Sequence, residues 1–203
     1  MSEPSFLGGR FPPHRIFTGW LGEVGSARLL AYTLAAEARF TPTRLAHEGT
    51  GRLETLTRQS SVLKDLGAFA EPMRRKAVAL QAELETAFGM AHTPPNSTQM
   101  EVVAHGDGAF YRPHTDTFTG DQYTPGGRRR LTMVYYFHRE PHCFTGGRLR
   151  LFDLGGGQAI DVEPVHDSLL VFPSTARHEV ERVSCPEGAF GDGRFAVNIW
   201  LCG

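Results

Sequence analysis

His114, Asp116 and His178 are the residues of this chain whose types and spacing could do chemistry. Two imidazoles and one carboxylate can hold Fe(II) on one face and leave three positions open to a co-substrate and oxygen, the ligand set of non-haem Fe(II) oxygenases. With nine histidines in 203 residues, the triplet His114-Thr115-Asp116 alone carries little weight. Its context carries more. Residues 109–116 read as a strand entered from the Gly-rich turn His105-Gly106-Asp107-Gly108, and alternate strand side chains share a face. The α-carbons of His114 and Asp116 then stand about 6 to 7 Å apart, close enough for both side chains to converge on one ion.

The elements that must position these residues change character near residue 97. Before it, Leu21 to Glu37 is rich in Leu and Ala, and Leu66, Phe69, Met73, Ala77, Leu80, Leu84 and Phe88 recur every three or four residues ahead of Gly89. Both patterns predict helices, and the stripe reads as core packing rather than a cofactor box. After the break Thr93-Pro94-Pro95-Asn96, short Val-, Tyr-, Phe- and Leu-rich segments alternate with Gly- and Pro-bearing turns. Eight strands are expected, starting near Met100, Ala109, Arg130, Gly147, Gln158, Ser168, His178 and Phe195. The predicted class is α+β, mainly β: a double-stranded β-helix (jelly roll, cupin-like) buttressed by N-terminal helices. One domain is expected over 1–203, with 1–97 as helical support and candidate lid and 98–203 as the jelly-roll core.

A formal charge of -1 and 40% hydrophobic content suit a globular domain with no call for a nucleic acid or membrane partner. The first residues carry neither a basic nor an apolar leader, and no run approaches 18 apolar residues, so a cytoplasmic location is expected. Cys143, Cys185 and Cys202 form no Cys-X-X-Cys pair and are read as reduced thiols.

Five blocks, in order, resemble the prolyl hydroxylase-like branch of the 2-oxoglutarate and Fe(II)-dependent dioxygenases. They are Phe110 to Asp116, Leu131 to Phe137, Gly146 to Phe152, His178 to Val180 and Arg194 to Trp200, within residues 98–203. The resemblance implies that His114, Asp116 and His178 ligate iron and that Arg194 pairs with the distal carboxylate of 2-oxoglutarate. A guanidinium fork suits a buried carboxylate by geometry and by permanent charge. Tyr136 matches the tyrosine that supports the same carboxylate, and Thr132 and Asn198 are candidates for the pocket lining. His105 stands where many relatives carry a tyrosine, and could bond the co-substrate or face the substrate. Fe(II), 2-oxoglutarate and O2 are implied, with ascorbate as an accessory. The implied reaction hydroxylates an unactivated C–H bond of a prolyl, peptidyl or amino-acid-like substrate and releases succinate and CO2. Because Asp116 is present where halogenating relatives carry a small residue, hydroxylation is expected rather than halogenation.

One departure is the distance from His178 to Arg194, lengthened by the Gly-rich stretch from Ser184 to Gly193. This stretch, the loop Thr117 to Gly127 with Phe118 and Tyr123, and the polar segment Thr41 to Ser61 are candidate recognition elements, the last as a lid. His138, Glu140, His142 and Cys143 could form a zinc site, against the plainer reading of a polar hairpin at Pro141. His166-Asp167 reads as turn chemistry, and His14, His47 and His92 as surface residues. Arg128 to Arg130 read as a solvated strand start. Arg148 and Arg150 share a strand face and become substrate candidates if that face lines the barrel mouth. Two other classes stay open: a cupin-like metalloenzyme using Zn or Mn without a keto acid, indifferent to Arg194, and a non-catalytic barrel that binds a partner; for the oxygenase the expected partner is a peptide or small-molecule substrate.

Overall fold

The computed structural model describes residues 10–43, 57–94, 96–117, 127–185 and 188–203. In chain order the strands are β1 Arg15–Thr18, β2 Thr41–Pro42, β3 Arg58–Gln59, β4 Ser61–Leu63, β5 Ser97–His105, β6 Phe110–His114 and β7 Arg129–Phe137. They continue with β8 Thr145–Gly146, β9 Leu149–Phe152, β10 Ala159–Val162, β11 Ser168–Pro173, β12 His178–Val180, β13 Val183–Ser184 and β14 Arg194–Cys202. Two helices, α1 Gly22–Ala35 and α2 Ala70–Ala87, precede the long strands.

Two antiparallel sheets hold all of these strands except β8 and β13, which pair with each other. One has the order β1-β11-β7-β14-β5-β4-β2 and the other β10-β9-β12-β6-β3. The eight strands expected from sequence are β5, β6, β7, β9, β10, β11, β12 and β14, four to each sheet, which makes a double-stranded β-helix. Buried on both faces, β7 and β14 read as near-continuous apolar runs.

One face of the larger sheet packs on the helices. The α2 stripe delivers Met73, Ala77 and Leu84, with Leu66 and Phe88 at its ends, to a core shared with Val102, Leu131, Met133, Tyr135, Phe195, Val197 and Ile199. Each large side chain buried this way contributes on the order of 1.5 to 3 kcal/mol. Gly89 takes φ 64° just past the helix, where a side chain would be strained. The opposite face looks into the barrel, where Val134, Tyr136 and Ala196 meet Leu149, Leu151, Leu170 and Phe172.

The segment read from sequence as a polar lid differs at its described ends. β2 and β4 extend the larger sheet beside β5, and β3 adds an edge to β6. Runs of two or three residues carry no readable period, so only pairing with longer neighbours defines them. The middle of that segment with His47, the loop with Phe118 and Tyr123, and residues 186–187 of the Gly-rich stretch lie outside the described residues. All three cysteines are free, Cys143 exposed and Cys185 and Cys202 buried.

Candidate metal centre and anion pocket

β6 and β12 carry the two histidines to one place. His178 lies opposite His114 in antiparallel register, and their ring centroids stand 4.2 Å apart. Beyond β6 the backbone N–H of Asp116 donates to the Ser174 carbonyl at 3.0 Å, tying its segment to the turn after β11. One nitrogen of each imidazole and one oxygen of Asp116 fall within 4.8 Å of one another. His114 Nε2 is 3.5 Å from Asp116 Oδ1, and His178 Nε2 is 3.7 Å from Oδ2.

Hydrogen bonds around the cluster set its chemistry. His114 Nδ1 faces the Arg112 carbonyl at 2.8 Å, and His178 Nδ1 faces the Ala176 carbonyl at 2.9 Å. A carbonyl only accepts, so both Nδ1 atoms carry the proton and both Nε2 lone pairs turn toward the carboxylate. Asp116 Oδ2 accepts from Thr132 Oγ1 at 2.8 Å and from Trp200 Nε1 at 2.9 Å. Burial opposes ionisation of Asp116, yet His178, His114 and the Trp200 N–H outweigh it and hold the carboxyl well below the usual carboxylate range. Burial pushes His178 down to about 4 against the pull of Asp116, which keeps it a neutral lone-pair donor at neutral pH. Two imidazoles that turn Nε2 toward one carboxylate fit a divalent transition metal.

A second group of polar atoms lies where β14 begins. Arg194 is 1% exposed and sits opposite His105 at the end of β5. Its Nη1 donates to His105 Nδ1 at 3.1 Å. Burial first, then the guanidinium groups of Arg194 and Arg58, hold His105 well below its ordinary range. The ring is therefore neutral, Nδ1 is the acceptor, and the proton resides on Nε2. The guanidinium carbon lies 4.9 Å from the Tyr136 ring, and burial pushes that phenol up to about 12 despite the guanidinium. His105 Nε2, the Tyr136 hydroxyl, and Arg194 Nε and Nη2 are all buried without a hydrogen-bond partner. Every one of them can donate. Gly147 closes in on the arginine at φ 70°, where an added Cβ would stand 2.7 Å from Arg194 Cδ. Among the described residues no carboxylate offsets this buried charge, an arrangement that costs several kcal/mol unless an anion arrives from outside.

Thr132, a candidate for the pocket lining, is buried with its hydroxyl bonded to Asp116 Oδ2 and to Ser174 Oγ, the latter at 2.9 Å. Asn198 is half-buried on the barrel face of β14, in register with Glu101 and Val134 between Arg194 and Trp200. Trp200 itself was not singled out, although its place six residues after Arg194 on one strand face was a usable signal. Arg129 covers the Trp200 ring at 3.7 Å and is held by Gln99 at 2.9 and 2.8 Å. Arg130 reaches Glu85 of α2, so these two arginines are engaged rather than simply solvated. Tyr111 stacks on His114 at 3.4 Å with Arg58 4.7 Å above it. Arg148 and Arg150 point away from the barrel and pair with Asp161, Glu179 and Glu181.

No helix among the described residues is long and apolar enough to cross a membrane. The solved structures that this chain resembles include a Pseudomonas putida prolyl-4-hydroxylase, at TM-score 0.66 and 24% identity over 94% of this chain and 92% of that one. Another is a Trichoplax adhaerens prolyl hydroxylase in complex with a hypoxia inducible factor peptide fragment, at TM-score 0.68 and 20% identity over 93% and 83%. Both likenesses concern the fold. In sequence, the chain is 38% identical over 111 residues to an uncharacterized PKHD-type hydroxylase of Synechocystis sp., covering 51% of this chain and 35% of that protein. It is 33% identical over 116 residues to the prolyl hydroxylase EGLN3 of Mus musculus, covering 56% and 43%. The chain thus spans less than half the length of these relatives. The sequence pattern of the 2OG-Fe(II) oxygenase superfamily matches residues 100–202, half of the chain. Proteins of that family work with Fe(II), 2-oxoglutarate and O2, and this chain belongs to the 2OG-Fe(II) oxygenase superfamily.

Proposed function

We propose that this chain is a hydroxylase in which His114, Asp116 and His178 hold Fe(II) and Arg194, Tyr136 and His105 hold the distal carboxylate of 2-oxoglutarate. The observation that carries this reading is the buried, uncompensated Arg194 guanidinium, flanked by orphaned donors on His105 and Tyr136. A dicarboxylate co-substrate supplies the missing acceptor oxygens and the missing charge. Iron and the keto acid together supply the oxidising chemistry. One O2 is consumed, the keto acid leaves as succinate and CO2, and a substrate C–H becomes C–OH.

The chain's own residues bind, orient and exclude. Nδ1–H bonds to backbone carbonyls fix both imidazoles with Nε2 toward the metal. Thr132 and Trp200 donate to Asp116 Oδ2 and so fix the orientation of the carboxylate between the two imidazoles, leaving Oδ1 without either donor. Arg194 and Tyr136 anchor the far end of the co-substrate, His105 donates through Nε2–H, and Asn198 lines the space between the two ends. The barrel's apolar interior keeps water from the anchored carboxylate, which strengthens the ion pair.

The prolyl hydroxylase names of the relatives support a prolyl residue of a peptide as the substrate class, and a free amino acid is the small-molecule alternative. We read the chain as one catalytic unit, with 98–203 as core and 1–97 as support, working in the cytoplasm with its thiols reduced. A cupin-like zinc or manganese enzyme without a keto acid is disfavoured, because it leaves Arg194 unpaired.

Anaerobic titration of the Fe(II)-loaded protein with 2-oxoglutarate tests the proposal. A weak visible charge-transfer band should saturate in the wild type and require at least tenfold more co-substrate in Arg194→Ala. Absence of the band in iron-loaded wild type would overturn it.

A further inference from the structure

A second cluster of potential ligands lies outside the barrel, between the loop after β7 and the loop before β11. One ring nitrogen each of His138 and His166 and an oxygen of Glu140 lie within 4.8 Å of one another. His142 stands beside them, its ring centroid 5.4 Å from that of His138. These residues come from chain positions 28 apart and take no part in the site described above.

The hydrogen bonds of His138 leave its ring short of one positive charge. Nε2 faces the Pro164 carbonyl at 3.0 Å. Nδ1 faces the Arg139 carbonyl at 2.9 Å and Glu140 Oε1 at 3.0 Å. All three neighbours only accept, whereas a neutral imidazole has a single N–H. With the proton on Nε2, toward the more enclosed partner, the Nδ1 lone pair confronts a carboxylate and a carbonyl. A cation must stand between them. A proton would make an imidazolium of a ring that is 4% exposed, where burial penalises the charged form. A metal ion uses the same lone pairs and recruits a further one. His166 turns Nδ1 toward the His138 backbone N–H at 3.2 Å, and as a ligand it would exchange that hydrogen bond for the ion.

We propose that His138, Glu140 and His166 form a second metal site, for a divalent transition ion of the zinc class, with His142 as fourth donor. Two or three imidazoles and one carboxylate match zinc's preferred nitrogen and oxygen ligands. Ligand atoms around tetrahedral zinc stand about 3.3 Å apart, so the exposed Glu140 and His142 and the half-buried His166 would close in on the buried His138. The ion would staple the β7–β8 connection to the turn at Asp167. This inference is independent of the proposed function.

Zinc titration into metal-free protein, followed calorimetrically and by metal content after desalting, tests it. Wild type should take up two equivalents and His114→Ala one. Glu140→Gln and His166→Gln, at positions that leave the buried His138 in place, should each retain one equivalent and weaken the second at least tenfold. Cobalt should report the same difference through its visible ligand-field bands. One equivalent in wild type, unchanged in Glu140→Gln and His166→Gln, would overturn the site. So would a His138 ring that titrates as an imidazolium by NMR and is indifferent to zinc.

Discussion

The Trp200 indole N–H donates to Oδ2 of Asp116 at 2.9 Å, the oxygen that also accepts from Thr132, so that Oδ2 is held by two donors beside His178 while Oδ1 is left facing His114. Trp200→Phe keeps the ring and removes the donor. Loss of a hydrogen bond that orients a metal ligand typically weakens the metal about tenfold. Competitive Fe(II) or Co(II) titration should therefore give a dissociation constant about ten times that of the wild type, with a thermal unfolding profile close to it. Equal metal affinity in the two proteins would mean that Thr132 alone orients Asp116.

Acidification should destabilise the metal-free protein before its carboxylates titrate. His105 is held well below the ordinary value of 6.5 in the folded state, mainly by burial, and recovers that value on unfolding. Below pH 6.5 the unfolded chain thus binds more protons than the folded one, so stability is full above 6.5 and is lost as pH falls. Each such imidazole removes at most about 1.4 kcal/mol per pH unit. His178, lowered to about 4, adds to the same window. Urea unfolding between pH 7.5 and 5 should show this slope, and His105→Gln should make it shallower. An identical slope in the variant would place the loss elsewhere.

The eight barrel strands and the shared face of His114 and Asp116 were legible because their signals are local, whereas His178, 64 positions from His114, joined them only through the family resemblance. The eight strand starts follow from runs of residues such as Leu131 to Phe137, and His114 and Asp116 share a face by strand period alone. The contact of Trp200 with Asp116 spans 84 positions and depends on how β14 registers against β7, which no local pattern encodes. For the same reason the pairing of His138 with His166 was hidden, and His166-Asp167 read only as a turn. Direction was the other gap. Alternation along β9 separates Arg150 from Leu149 and Leu151, but only the assembled sheets decide which face is the interior.

Asp167 joins the helical layer to the barrel. At φ 53° it accepts through Oδ1 from the buried Tyr135 hydroxyl and from the Leu21 backbone N–H, each at 2.8 Å. Its own carbonyl accepts from Trp20 N–H at 3.1 Å. Asp167→Ala strands two donors and places alanine at positive φ, so a loss of about 2 to 4 kcal/mol is expected. Asp167→Asn keeps an acceptor oxygen and tolerates that backbone, so it should lose less than half as much. Denaturant unfolding of the three proteins gives both numbers, and an alanine variant as stable as wild type would contradict the assignment.

Arg150 provides the opposite case, a charged residue whose removal should matter little. It lies on the outer face of the smaller sheet, bonded to Asp161 at 2.8 Å and Glu181 at 2.9 Å, with its side chain 37% exposed. Solvent screens such pairs, and the network retains Arg148 beside the same carboxylates. Arg150→Ala should therefore cost no more than about 1 kcal/mol of stability. Its 2-oxoglutarate titration should superimpose on that of the wild type, whereas Arg194→Ala requires at least tenfold more. Both arginines sit on strands of the same barrel, and what separates them is the face. A co-substrate defect in Arg150→Ala comparable to that of Arg194→Ala would show that the smaller sheet's outer face takes part in binding.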